Sequence, residues 1–363
     1  MRFSDEQWLE LPLGAICTGF GYGINAEAID FDGENKYIRI TDIDEESSKY
    51  ISNPPVSPAI TDSKCIVKEN DILFARTGAS TGKSYLYNWQ DGLLYYAGFL
   101  IRANVKKSYN AYFVYQQTKT NKYNNWVRIM SARSGQPGIN AQEFSQYKIS
   151  FPSLPQQNKI ASFLSKVDQR IETQSKIIDK LKSQIISISN TMVKSIAKKI
   201  SIEEICDFEE KTKHQSGDGL ASGTYPFFTN EEETVKFFDS YDFNGEYIIA
   251  NTGGKANFKY YNGKFAVMSD CLVIKFKSPK LTNFYSIVLS TLQKYINYVG
   301  FEGSGLKHLN KDWLLKLQVP QYGSEAETFI KIIDELKEKL QKEKDILSLY
   351  KKQKAYLLAN MFI

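Results

Sequence analysis

A chain of 363 residues has room for two or three domains, and 42% hydrophobic and 13% aromatic residues supply ample cores. No apolar run reaches the ~18 residues of a membrane span, and the opening MRFSDEQWLELP lacks the apolar centre of a signal peptide, so a cytoplasmic protein is expected. The net charge of +5 is too small to make the whole chain a polycation, and Cys17, Cys65, Cys206 and Cys271 lack CxxC spacing and read as free buried thiols. With only His214 and His308, no zinc or iron site suggests itself.

In chain order, Trp8–Cys17 is a short apolar stretch expected at a strand or helix edge. Gly19, Gly21 and Gly23 are spaced like part of a nucleotide-binding loop, but the short acidic segment after them is a poor helix, so a plain turn is expected. Asn35–Ile43 alternates and predicts a strand. Asn53-Pro54-Pro55-Val56 is close to the Asn-Pro-Pro-aromatic motif of amino-methyltransferases, but valine cannot stack on a base, which leaves an extended proline turn.

Ile72–Ala75 predicts a buried strand, and GASTGKS after it nearly makes a phosphate-binding loop. That loop needs four residues between its glycines, and Gly78 and Gly82 enclose three. Leu93–Ala103 reads as a strand, Ala111–Val127 as helical, and Ser131–Asn140 as a small-residue turn.

Gln157–Lys199 carries apolar residues at Ile160, Leu164, Val167, Ile171, Ile178, Leu181, Ile185, Ile188 and Met192, with Gln174 in the one polar position. Alternating steps of four and three mark a coiled-coil seam, which requires a partner helix. Residues 151–200 also hold nine basic and three acidic side chains, most simply a solvated helix face.

The second half repeats this order. Gly245–Phe276 has a strand, Ala250-Asn251-Thr252-Gly253 set against Ala75-Arg76-Thr77-Gly78, and a further strand Lys264–Phe276. Asn283–Val299 is helical and Phe301–Asn310 is the second small-residue turn. From Phe329 a second seam follows through Ile333, Leu336, Leu340, Leu347, Tyr350, Lys354, Leu357 and Met361, with Glu343 opposite Gln174 in the alignment. Such self-similarity indicates one unit duplicated. The implied segments are 1–154, 155–199, 200–321 and 322–363.

The order of these elements, FPSLPQQNKIASFLSKVDQRIE (Phe151–Glu172), DILFARTG (Asp71–Gly78) and SGQPGIN together resemble the specificity subunits of type I restriction–modification systems, over nearly the whole chain. The resemblance implies an α+β fold: two tandem α/β-type target-recognition domains, separated and followed by long antiparallel coiled-coil helices, with an internal pseudo-twofold repeat. It further implies a non-catalytic subunit reading a bipartite double-stranded DNA target, docked to two methyltransferase subunits and joined by nuclease–translocase subunits. No cofactor belongs to this chain; S-adenosylmethionine, ATP and magnesium would belong to those partners.

Polar and basic groups on the duplicated turns are the candidate DNA contacts: Arg76, Thr77, Ser80, Lys83, Arg133, Ser134 and Gln136, then Asn251, Thr252, Lys255, Asn257, Ser304, Lys307 and His308. Ile177, Ile186, Val193, Ile332 and Ile346 lie outside the seams and are expected to face other subunits. A non-DNA interaction scaffold, with two α+β modules on a coiled-coil strut, is the alternative.

Overall fold

The computed structural model describes residues 8–132, 137–231 and 236–362. The chain divides into two compact units, one of residues up to Gln174 with those from Ile346 onward, the other of Ser175–Asp345. The division falls inside both long helices, so each unit holds part of each.

In the first unit, Leu9–Pro12 pairs antiparallel with Lys148–Phe151, and a helical turn, Leu13–Ile16, follows. A four-stranded antiparallel sheet runs in the order Cys17–Tyr22, Leu100–Val105, Asp71–Ala75, Ser84–Leu86. All of Asp71–Ala75 is buried, as a continuous apolar run requires when both sheet faces are covered. Strand alternation then divides it: Ile72 and Phe74 join a core with Phe113, Tyr123 and Phe144, while Leu73 and Ala75 join one with Ile38, Tyr85 and Tyr96.

Three expected elements are shortened or broken relative to their sequence pattern. Only Lys36–Ile38 of the Asn35–Ile43 stretch is a strand. The Asp42 carboxylate reaches back to the Arg39 N–H at 2.9 Å and to its Nε at 2.8 Å, which closes a 3-10 turn over Ile40–Asp42. Leu93–Ala103 is two strands, Leu94–Tyr96 and Leu100–Val105, parted where the Gly98 N–H donates to the Ile24 carbonyl at 2.7 Å. The helical stretch from Ala111 breaks into Ala111–Gln117 and Asn121–Ser131, because the Thr118 and Thr120 hydroxyls donate to the Tyr115 and Gln117 carbonyls at the break. The proline turn holds, with a cis Asn53–Pro54 peptide ahead of the strand Val56–Pro58.

The long helices are Leu154–Ser195 and Ser324–Met361. Pro155 sits in the first turn of one, where its missing N–H costs nothing, and Glu325 and Glu327 face the positive end of the other. Ile160, Leu164, Val167, Ile178, Leu181 and Met192 are buried along the stripe. The helices run antiparallel. Within the first unit Leu358 and Met361 share a core with Ile160 and Leu164, and Lys354 pairs with Asp168 at 2.6 Å. Within the second, Met192 and Ile196 share a core with Ala326 and Ile333. Of the residues expected to lie outside the seam, Ile177, Ile186, Ile332 and Ile346 are exposed, while Val193 packs on the second unit's core.

The Asp168 carboxylate is a joint in the first unit. It accepts from the Tyr112 hydroxyl at 2.5 Å and the Gln116 amide at 3.0 Å as well as from Lys354. The loop Asp44–Lys49 is fastened beside it. Lys49 pairs with Glu172 at 2.5 Å, Glu46 pairs with Lys351, and the Ser48 hydroxyl accepts from the Lys119 ammonium at 2.9 Å.

The second unit has a six-stranded sheet in the order Cys206–Phe208, Cys271–Phe276, Phe243–Asn251, Phe258–Val267, Tyr225–Phe228, Lys236–Phe238. The expected strand Lys264–Phe276 is two, turning at Met268–Asp270. Its helix is Pro279–Val299, capped by the Ser278 hydroxyl. All four cysteines are free and buried, and burial pushes the Cys17, Cys206 and Cys271 thiols up to about 12.

Candidate nucleic-acid interface

In each unit the central strand ends in a turn that is stitched to the second, distant turn. In the first, Ala75 and Gly82 close the hairpin: the Gly82 N–H donates to the Ala75 carbonyl and the Ala75 N–H to the Lys83 carbonyl, both at 2.8 Å. Gly82 has φ +87°, and a Cβ there would lie 2.6 Å from both Val127 methyls, so glycine is required. The Gly78 N–H donates to the Pro137 carbonyl at 3.0 Å, and the Ile139 N–H to the Arg76 carbonyl at 2.9 Å. In the second unit the Gly254 N–H donates to the Lys307 carbonyl at 2.9 Å, and the Leu309 N–H to the Thr252 carbonyl at 2.8 Å.

This pairing corrects the alignment read from the letters. By hydrogen bonding, Arg76 corresponds to Thr252, not Asn251: the Arg76 N–H donates to the Phe99 carbonyl and the Thr252 N–H to the Asp270 carbonyl. Asn251 takes the place of Ala75, pairing with Cys271 as Ala75 pairs with Leu100. Asn140 and Asn310 cap the short helices after the second turns in both units.

Arg76 lies over two aromatic rings. Its guanidinium carbon lies 5.1 Å from the Tyr22 ring centre and 5.8 Å from that of Phe99, and its Nε donates to the Gly98 carbonyl at 3.0 Å. The Tyr22 hydroxyl is itself fixed, accepting from the Ala141 N–H at 3.1 Å. Tyr22 and Phe99 are 47% and 55% exposed, so the clamp faces solvent. Thr77 forms a bridge to Gly138, and the Ser80 carbonyl accepts from the Lys83 N–H. Lys83 is committed elsewhere: its side chain is 9% exposed and its ammonium pairs with Glu45 at 2.5 Å. Arg133, Ser134 and Gln136 lie outside the described residues.

In the second unit Asn251 is buried, its amide donating to the Asn230 carbonyl at 2.8 Å. Thr252 is also buried and donates its hydroxyl to the Asp270 carbonyl at 2.6 Å. A cavity of ≈ 290 Å³ is lined by Asn230, Asn251, Lys255, Asn257 and Leu306 with the turn glycines. The Oδ1 atoms of Asn230 and Asn251 are buried there with no hydrogen-bond partner. Lys255, Ser304, Lys307 and His308 are exposed, the last bridging to Gly253. Tyr22, Phe99 and Asn230 escape the sequence reading. Gly98 in the middle of an apolar run was the one available signal, since it marks a turn and so places Phe99 at its tip.

Among the described residues no group of three or more His, Cys, Asp or Glu is placed to hold a metal ion, and no helix is long and apolar enough to cross a membrane.

The model of the type I restriction modification DNA specificity domain matches residues 6–183 and 196–349, one copy on each half of the repeat. The chain belongs to that family. It is 31% identical over 171 residues to a putative type I specificity subunit of Mycoplasma pneumoniae, 43% of each protein, and 27% identical over 170 residues to a second one, 42% of this chain and 62% of that protein. The matches thus span less than two thirds of those relatives. The fold is similar over 99% of the chain to the S subunit of a type I restriction–modification system from M. genitalium, with a TM-score of 0.63, 17% identity and 97% of that chain covered. A structure described in terms of complex assembly and conformational transition of the type I system matches with a TM-score of 0.58 at 11% identity, covering 99% and 98% of the two chains.

Proposed function

We propose that this chain is the DNA-specificity subunit of a type I restriction–modification complex. Residues 1–154 and 200–321 each read one half of a bipartite double-stranded target, and 155–199 and 322–363 form the helical strut. The observation that carries the reading is the duplicated pair of stitched turns, alike in backbone and unlike in side chain. A common scaffold with different polar groups at its tips suits two readers of different sequences. The contacts come from the groups that remain accessible: Arg76, Thr77 and Ser80 on one side, and Lys255, Asn257, Ser304, Lys307 and His308 on the other. Arg133, Ser134 and Gln136 complete the first set. Lys83, Asn251 and Thr252 shape their turns.

The chain itself is non-catalytic and cytoplasmic. Two methyltransferase subunits dock on the long helices, where Ile177, Ile186, Ile332 and Ile346 offer apolar surface to a partner, and nuclease–translocase subunits join that core. S-adenosylmethionine, ATP and magnesium act on those subunits. The test is to map methylated bases made by the chain with its methyltransferase, before and after replacing residues 1–150 by another recognition segment. One half-site should change and the other persist. A change in both would refute separate reading.

A further inference from the structure

We infer that Arg76 is the guanine-reading residue of the first half-site, held for that task by Tyr22 and Phe99; this rests on the specificity-subunit reading above. A guanidinium has two edges that present paired N–H groups. Donation from Nε to the Gly98 carbonyl commits the side edge, and the Tyr22 and Phe99 rings lie against the guanidinium. What remains is the end fork of the two terminal nitrogens, with no carboxylate paired to it among the described residues.

That fork matches the O6 and N7 acceptors of guanine in the major groove, the commonest bidentate base contact. A phosphate can also accept a guanidinium fork, but that contact carries no base preference, so selection among sequences separates the two. Adenine, in contrast, presents N6 as a donor against the fork and is rejected.

Among the described residues the second unit shows no counterpart at this position. Thr252 occupies the same backbone position, buried and with its hydroxyl donated to the Asp270 carbonyl, and Asp270 replaces Phe99. The two half-sites should therefore differ at this position, with an arginine-read guanine in one alone.

The experiment is selection from a random duplex DNA library by the chain assembled with its methyltransferase subunits, for the parent, Arg76→Lys and Arg76→Met. Methionine keeps a stem beside the rings, and the second half-site reports on folding within the same molecule. We expect Arg76→Met to lose preference for one guanine in one half-site by on the order of 10–100-fold and Arg76→Lys to keep part of it, with the other half-site unchanged. Full retention of the guanine preference by Arg76→Met would show that the guanidinium does not read that base and overturn the inference. So would equal loss in both half-sites, or a parent half-site without guanine at the position that relaxes. A parent that selects no bipartite sequence would instead overturn the underlying reading.

Discussion

Removing the Asp168 carboxylate tests whether the joint between the long helices and the first recognition module is electrostatic. In Asp168→Ala three donors lose their acceptor: Lys354 at 2.6 Å, the Tyr112 hydroxyl at 2.5 Å and the Gln116 amide at 3.0 Å. A hydrogen bond to a charged group contributes about 1.5–3 kcal/mol net, and stripping one partner of a buried ion pair costs about 3–5 kcal/mol. Asp168 and Lys354 are 30% and 23% exposed, so water screens part of this and the lower end applies. A loss of about 2–3 kcal/mol is expected. Urea unfolding followed by tryptophan fluorescence would measure it, since Trp126 packs on the same core. Comparison with Lys354→Ala and the double variant isolates the pair, and a coupling of about 1 kcal/mol or more is expected. A coupling below about 0.3 kcal/mol, or an unchanged urea midpoint in Asp168→Ala, would refute the argument.

Lys119 gives a pH dependence. Burial, aided by Lys354 and Lys83, pushes its ammonium down to about 7 from 10.5, although Asp168 opposes the shift. The unfolded chain therefore holds the extra proton between those values, so the Lys119 contribution is complete above 10.5 and is lost as pH falls to about 7. The stability of the parent relative to Lys119→Met should rise with pH across that window, and a flat difference in thermal unfolding would contradict the assignment. Gly82→Ala should cost about 2–4 kcal/mol, from positive φ and the Val127 contact together. Gly78→Ala, with φ +73° and open space around it, should cost only about 1 kcal/mol. Similar losses for the two in urea unfolding would remove Val127 from the account.

The seams were legible because burial of one helix face imposes a period that few other constraints imitate; Ile160, Leu164, Ile178 and Met192 are where the spacing puts them. The strand breaks at Ala97–Phe99 and Met268–Asp270 were not. Residues flanking those turns are buried on both sides, so hydropathy runs on through them. The one-residue error in aligning the turns came from Ala-X-Thr-Gly occurring in both halves, whereas register is set by ladder hydrogen bonds that the letters do not encode. The Arg76 clamp was hidden for another reason. Tyr22, Arg76 and Phe99 come from three separate places in the sheet, and nothing local links an arginine to rings so far away in sequence.

The core of the first unit includes Leu358 and Met361, and Phe362 packs against it. Its chain is therefore interrupted: roughly 170 residues separate Gln174 from Ile346. At about 5–20 residues per second, synthesis leaves that unit unfinished for roughly 10–30 s after Gln174 has been added. The second unit, Ser175–Asp345, is one uninterrupted segment. The module made second is thus free to finish folding first, and the earlier one waits with part of its core open for a helix not yet made.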